Sequence, residues 1–318
     1  MNPSISIPPA RPARATPRSV ISRVASVFLP LVAGLVCQST ALAQTQLGAD
    51  IDGESAGDYA GNSVSLSADG GRLAVGAFGN DGNGSDAGQV RVFAWSGSAW
   101  VQQGADIDGE AAGDGSGVSV SLSADGGRLA IGASGNDGNG SDAGHARVYT
   151  WTGGAWVQEG ADIDGEAAGD YSGHSVSLSA DGGRLAIGAY GNDGNGSVAG
   201  QVRVYSWAGS AWIQQGVDID GEAAGDQAGH SVSLSAGGGQ LAIGASGNDG
   251  NGSDAGHVRV FTWSGSAWMR HGADIDGEAA GDQSGYSVSE SADGGRLAVG
   301  AYDNDGNGSD AGHVRVYQ

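Results

Sequence analysis

The phrase Asp106-Ile107-Asp108-Gly109-Glu110, followed by Asp114, sets four carboxylates within nine residues around Gly109 and Gly113. Hard oxygen donors at that density suit Ca2+, which takes about six to eight of them. The same set recurs as Asp50, Asp52, Glu54 and Asp58, and again as Asp162, Asp164, Glu166 and Asp170. These twelve residues are the candidate metal ligands. Gly138-Asn139-Gly140-Ser141-Asp142 adds half of a calcium-binding nonapeptide. The full register of an EF-hand loop is absent, because Glu110 comes too early for the terminal bidentate position. Solvated turns that keep the chain soluble are the competing reading of the same acids.

Tryptophan supplies a second candidate chemistry. All eight indoles fall in four pairs around short turns, Trp95/Trp100, Trp151/Trp156, Trp207/Trp212 and Trp263/Trp268. Trp100, Trp156, Trp212 and Trp268 could form a repeated platform for stacking on carbohydrate. They equally suit a clamp on the edge of each repeat, since each pair flanks a hairpin at cross-strand spacing. Arg91, Arg147, Arg203, Arg259 and Arg315 sit inside apolar alternation and call for buried partners, for which acids of the Asp58 type are expected. His145, His257 and His313 alternate with glutamine, and His174 and His230 with asparagine or valine. That interchange argues against a shared metal or catalytic duty and reads as surface hydrogen bonding. No set of nucleophile, base and orienting group appears in one unit alone, as a catalytic pocket requires. The expectation is that the chain is not an enzyme.

The elements that must carry these residues are short strands. Ser175–Ala189 reads SVSLSADGGRLAIGA and recurs at Ser63, Ser119, Ser231 and Ser287, always 56 residues apart. Strict alternation of Val176 and Leu178 with serines predicts a strand with one apolar face. Asp181-Gly182-Gly183 then predicts a tight hairpin into a second strand. A polar loop, a third strand over 201–207, a turn and a fourth strand over 212–215 complete the unit. Four antiparallel strands at this period predict an all-β propeller of five blades. The segment after residue 43 opens in the phase of a fourth strand, and Val314–Tyr317 ends in the phase of a third. Pairing of those two ends would close the ring and remove its free edges. Glu290 breaks the pattern, standing where the other units carry Leu66, Leu122, Leu178 and Leu234.

Residues 1–43 differ from all that follows. Arg11, Arg14, Arg18 and Arg23 precede an apolar run over 27–36, and Ala41-Leu42-Ala43 suits signal peptidase. A cleaved leader is expected at 1–43, with the propeller over 44–318 and repeats beginning near 48, 104, 160, 216 and 272. The sole cysteine, Cys37, lies in the leader, so no disulfide is expected in the exported chain. Beyond the leader, ten arginines and no lysine face 36 acids, a formal net charge of −26. That balance argues against nucleic acid and anionic membrane as partners.

The pattern SG-x-SVSLSADGGRLAIGA-x-GNDGNGSDAGHVRVYTW resembles the bacterial FG-GAP repeats, relatives of the integrin α-subunit propeller repeats. Ser172-Gly173 stands in place of Phe-Gly, and Gly188-Ala189 in place of Gly-Ala-Pro. The family's calcium loop between the first two strands is reduced here to Ala180–Arg184, so that site does not carry over. With the leader and the lack of a catalytic set, the resemblance suggests an exported, non-catalytic binding or adhesion module, and the antiparallel blade topology places its acidic loops on one face. Its partner would be a protein or carbohydrate at the cell surface. The alternatives are a structural surface or matrix protein stabilised by calcium, and a tryptophan-based multivalent lectin. An enzyme, such as a propeller lyase or lactonase, ranks third.

Overall fold

A computed structural model describes residues 45–318, and the predicted leader lies outside them. The unit Gln46–Gln318 is built from β-strands alone. In the first repeat, β1 (Ser63–Leu66), β2 (Arg72–Ala77), β3 (Gln89–Trp95) and β4 (Trp100–Gln102) pair antiparallel in chain order. The connector adds a two-residue strand, β5 (Ile107–Asp108), which pairs with β3 beside Gln89 and Val90. The outer edge of each sheet is therefore two short strands, with the connector contributing the second. Repeats two to four reproduce this arrangement, whereas the fifth holds only Ser284–Glu290, Leu297–Ala301 and His313–Tyr317.

The Asp-Gly-Gly hairpin forms as its residues dictate. Asp69 accepts from the Ser67 hydroxyl at 2.7 Å and from the Gly71 N–H at 2.8 Å, while Gly70 takes a φ of 68°. The Ser67 hydrogen bond is the main cause that lowers the Asp69 carboxyl below the ordinary aspartate range.

No repeat buries a core by itself. Ala74, Val90, Val92 and Ile107 of the first repeat pack against Val120, Leu122, Leu129, Ile131 and Tyr149 of the second. Each of these valines, leucines and isoleucines contributes roughly 1.5–3 kcal/mol through burial, and the same joint recurs along the chain. Main chains meet there too: Ser63 Oγ donates to the Gly117 carbonyl at 2.7 Å, and Ala68 N–H donates to the Ala124 carbonyl at 2.9 Å. Only glycine serves at Gly76, because a Cβ would collide with that Gly117 carbonyl.

The expected closure does not occur. Among the described residues no strand of the first repeat pairs with one of the fifth. Leu47 and Gly48 form no strand; they rest on the first tryptophan pair, and Trp100 Nε1 donates to the Leu47 carbonyl at 3.0 Å. Both end faces are bare as a result. Val64 and Leu66 are 59% and 55% exposed against 9% and 7% for Val120 and Leu122, and Val314 and Val316 are 68% and 67% exposed. Blade composition also differs from expectation, because the connector joins each of the first four sheets and the fifth sheet lacks its outer edge.

Candidate functional site

The acids of the connector motif divide their duties. Asp58, Asp114 and Asp170 are buried, and each accepts two main-chain N–H groups of its own turn, as when Asp114 Oδ2 takes Glu110 and Ala111 at 2.9 Å each. Asp50, Asp106 and Asp162 instead accept the side chains of Gln46, Gln102 and Gln158. Asp52, Asp108 and Asp164 contribute main-chain carbonyls to Arg91, Arg147 and Arg203. Glu54, Glu110 and Glu166 lie 3.5–3.8 Å from the same arginines. The arginines thus pair with the glutamates and not with the Asp58 type: the connector strand β5 pairs with the third strand of the repeat before it, and the glutamate just beyond it reaches the third-strand arginine of the repeat that follows.

Histidine is where convergence appears. The connector on either side of the second repeat brings Glu110 and Asp162 to His145, with one ligand atom from each residue within 4.8 Å of the others. His145 is 1% exposed, and neither ring nitrogen has a hydrogen-bond partner. Burial, and then the charge of Arg147, lowers its pKa and leaves the ring neutral with a lone pair available. Glu222, His257 and Asp274 repeat the arrangement in the fourth repeat. In the first and third repeats Gln89 and Gln201 take the histidine's place and donate to Glu54 and Glu166. Surface hydrogen bonding was the expectation for these histidines, and His145 and His257 are instead fully buried. The alternation of Gln and His between two acidic connectors was the available signal.

The two clusters differ in their fit to a cation. In the fourth, Arg270 reaches Glu222 at 3.3 Å and also pairs with Asp274, so the negative charge is already balanced. In the second, Gln158 stands in that place and gives Asp162 only a neutral hydrogen bond of 2.6 Å. One nitrogen and two carboxylates then face one another with Arg147 as the nearest cation, 3.5 Å from Glu110. That donor set suits a divalent metal with nitrogen and oxygen preference. Beside the fourth cluster lies a cavity of about 490 Å³ lined by Asp218, Asp220, Glu222, Arg259, Phe261 and Trp268 among others.

The tryptophans sit at joints between repeats. Trp95 and Trp100 stand edge to face with centroids 5.4 Å apart, and the other three pairs are tilted at that distance. Arg72 of the first repeat lies 5.7 Å from the ring centroids of Trp151 and Trp156 in the second. Trp156 Nε1 donates to the Gln103 carbonyl at 3.1 Å, and Trp212 Nε1 to Glu159 at 3.0 Å. Trp268 makes no such bond.

A further group comes together where the repeats depart from one another. Tyr171 stacks on Tyr190, His174 packs edge-on to Tyr190 and lies 5.1 Å from His230, and His230 contacts Tyr286, which stacks on Tyr302. Burial, with a smaller part from His230, lowers His174 to about 4. Positions 56 residues apart in sequence meet here because the first strands of adjacent repeats lie side by side.

Residues 162–205 match the family model of the FG-GAP repeat. No curated protein matches the chain in sequence. Among solved structures, the periplasmic gluconolactonase PpgL of Pseudomonas aeruginosa is similar at 20% identity and a TM-score of 0.50, covering 75% of this chain and 64% of its own. A protein of Bacteroides uniformis named for 6-phosphogluconolactonase activity is similar at 12% identity and a TM-score of 0.53, covering 80% of this chain and 71% of its own. The chain thus spans less than two thirds of the Pseudomonas protein. These likenesses correct the functional expectation. The fold is shared with proteins named as lactonases, so repetition is no ground for setting catalysis aside, and the expectation of a non-catalytic adhesion module is withdrawn on that likeness.

Proposed function

From a chain that carries FG-GAP repeats on a fold shared with two proteins named as lactonases, we propose a metal-assisted hydrolase of sugar lactones centred on Glu110, His145 and Asp162. The observation that carries this reading is the buried His145, whose two ring nitrogens lack partners between two carboxylates. His145 supplies a neutral nitrogen and the two acids supply oxygens. The nitrogen donor favours zinc or a similar borderline ion over calcium, whose sites are built from oxygens. A bound divalent cation supplies Lewis acidity toward an ester carbonyl and acidifies water.

The chain's own groups account for the remaining needs. Glu110, with a side chain 46% exposed, opens the cluster to solvent and to an entering ligand. The Arg147 guanidinium beside it is placed to hold negative charge that develops on the acyl oxygen. Hydrolysis adds the hydroxyl of water to the acyl carbon, breaks the ring carbon–oxygen bond and leaves the second proton on the released alkoxide oxygen. In this reading Glu110 moves that proton through the oxygen it does not give to the cation. The arginine-rich leader and its small-residue cleavage site support placing this reaction outside the cytoplasm.

The test is acid release from gluconolactone above the spontaneous rate, with chelated protein reloaded with Zn2+, Mn2+ or Ca2+. Activity should vanish on chelation and in His145→Gln, which copies Gln89 and Gln201. Failure to accelerate release with every metal sinks the proposal.

A further inference from the structure

Each internal joint of the chain is a plug fitted into a socket. The plug is the turn before a first strand, such as Ser116-Gly117, together with the valine and leucine that follow, the leucine being replaced by Glu290 in the fifth repeat. The socket is the preceding repeat's serine and glycines, with the valines of its third strand. Gly88 bridges to Ser116, Ser63 Oγ donates to the Gly117 carbonyl, and Leu122 N–H donates to Ser65 Oγ at 2.9 Å. Arg128 and Asn139 of a socket reach the Gly182 and Gly165 carbonyls of the unit that follows it.

At the two ends of the described chain one half of this joint is complete and unfilled. Gly61 takes a φ of 90°, as Gly117 does at 88°, and its N–H is held by the Gly76 carbonyl at 2.9 Å, as Gly117 is held by Gly132. The plug is therefore preformed, with Val64 and Leu66 beside it in the open. On the fifth repeat, Ser287, Gly300, Ala301, Gly312 and Val314 line a cavity of about 380 Å³. Gly300 meets only Ser287, whereas Gly76, Gly132, Gly188 and Gly244 each meet a glycine carbonyl of the next unit. Ser289 Oγ, Asn307 and Arg296 have no partner of the kind that Ser65, Asn139 and Arg128 have, among the described residues.

We infer that the socket of the fifth repeat receives the first repeat of a second copy of this chain, head to tail. The internal joints are the template for the contact. Leu66 N–H of the incoming copy donates to Ser289 Oγ, and its Gly61 carbonyl accepts from Ser287 Oγ. Its Ile51–Asp52 segment lies where Ile107–Asp108 lies in the first joint, and it completes the outer edge that the fifth sheet lacks. The apolar pairing of Val64 and Leu66 with Val314 and Val316 follows. Such a contact joins two different faces, so it propagates into rings or filaments.

Sedimentation of the full chain over a range of concentrations reads this out. The wild-type chain should show species heavier than one chain, growing with concentration. Leu66→Asp, dead at the plug, and Val316→Asp, dead at the socket, should each run as single chains. Mixing them restores one productive pair and should yield a dimer and nothing larger. Both side chains are exposed in the free chain, so folding is unaffected; matched circular dichroism checks this, and Leu66→Ser and Val316→Ser replace any variant that fails it. The inference is overturned by a wild-type chain that stays at single-chain mass, as self-closure requires. It is equally overturned by either variant associating alone, or by a mixture that does not pair.

Discussion

Leu66 and Leu122 occupy one position of successive repeats, yet Leu66 is 55% exposed and Leu122 is 7% exposed. The difference lies in what stands in front of each. Leu122 enters the face of Ala74, Val90 and Val92, whereas among the described residues nothing precedes the first repeat. Leu122→Ala should therefore cost about 2–4 kcal/mol of stability, and Leu66→Ala under about 0.5 kcal/mol at dilute concentration. Denaturant melts of the two variants check the pair.

Glycine at the joints should divide in the same way. At Gly132 a Cβ collides with the main-chain carbonyl of Gly173, which cannot move without shifting a repeat. At Gly300 the neighbour is the rotatable hydroxyl of Ser287 alone. Gly132→Ala should cost about 3 kcal/mol, and Gly300→Ala less than about 1 kcal/mol, read from unfolding midpoints.

Glu290 introduces a pH dependence of its own. Burial between the fourth and fifth repeats raises its carboxyl from 4.5 to about 7, with the Ser235 main chain offsetting part of the effect. A folded pKa above the unfolded one favours the protonated protein, so this stability is present below pH 4.5 and is lost as pH rises through 7. Glu290→Leu, restoring the residue of the other repeats, should raise stability at pH 8 by on the order of 1–2 kcal/mol after discounting for partial exposure. The melting temperature of the variant should change less than wild type between pH 5 and 8.

His174 acts with the opposite sign. Its folded pKa of about 4 lies below the free value of 6.5, through burial beside Tyr190 and the charge of His230. Stability from the neutral ring is present above pH 6.5 and falls as pH drops toward 4. His174→Asn, the residue found at Asn62, should flatten that acid limb by on the order of 1–2 kcal/mol, discounted for partial exposure. Melts from pH 4 to 7 decide it.

Arg270 separates the two carboxylate–histidine clusters. It holds both Glu222 and Asp274, where the second repeat has Gln158. Replacing it as Arg270→Gln should free the fourth cluster and add a second equivalent of bound zinc in calorimetry. An unchanged stoichiometry would separate charge balance from metal uptake at that site.

Much of the architecture was legible in the residues alone. The 56-residue period, the serine–valine alternation and the Asp-Gly-Gly turns define strands and hairpins within a few positions, because alternation and positive φ are local properties. The roles of the acids were not legible. Asp114 and Glu110 are four residues apart in one motif, yet one caps a turn and the other faces Arg147, because the connector, paired through β5 to the first repeat, lies against the second.

Longer-range relationships belong to the tertiary structure. Glu110, His145 and Asp162 come from two connectors and a strand, and only the register between repeats brings them together. His174 and His230 look like isolated substitutions until neighbouring first strands lie side by side. Closure is the plainest instance. Repeat phase predicts that the opening segment pairs with the closing strand, but among the described residues Leu47 and Gly48 rest on Trp95 and Trp100 and no such pairing forms. The contacts that decide it, between side chains and glycine-bound carbonyls of neighbouring units, are encoded by no spacing along the chain.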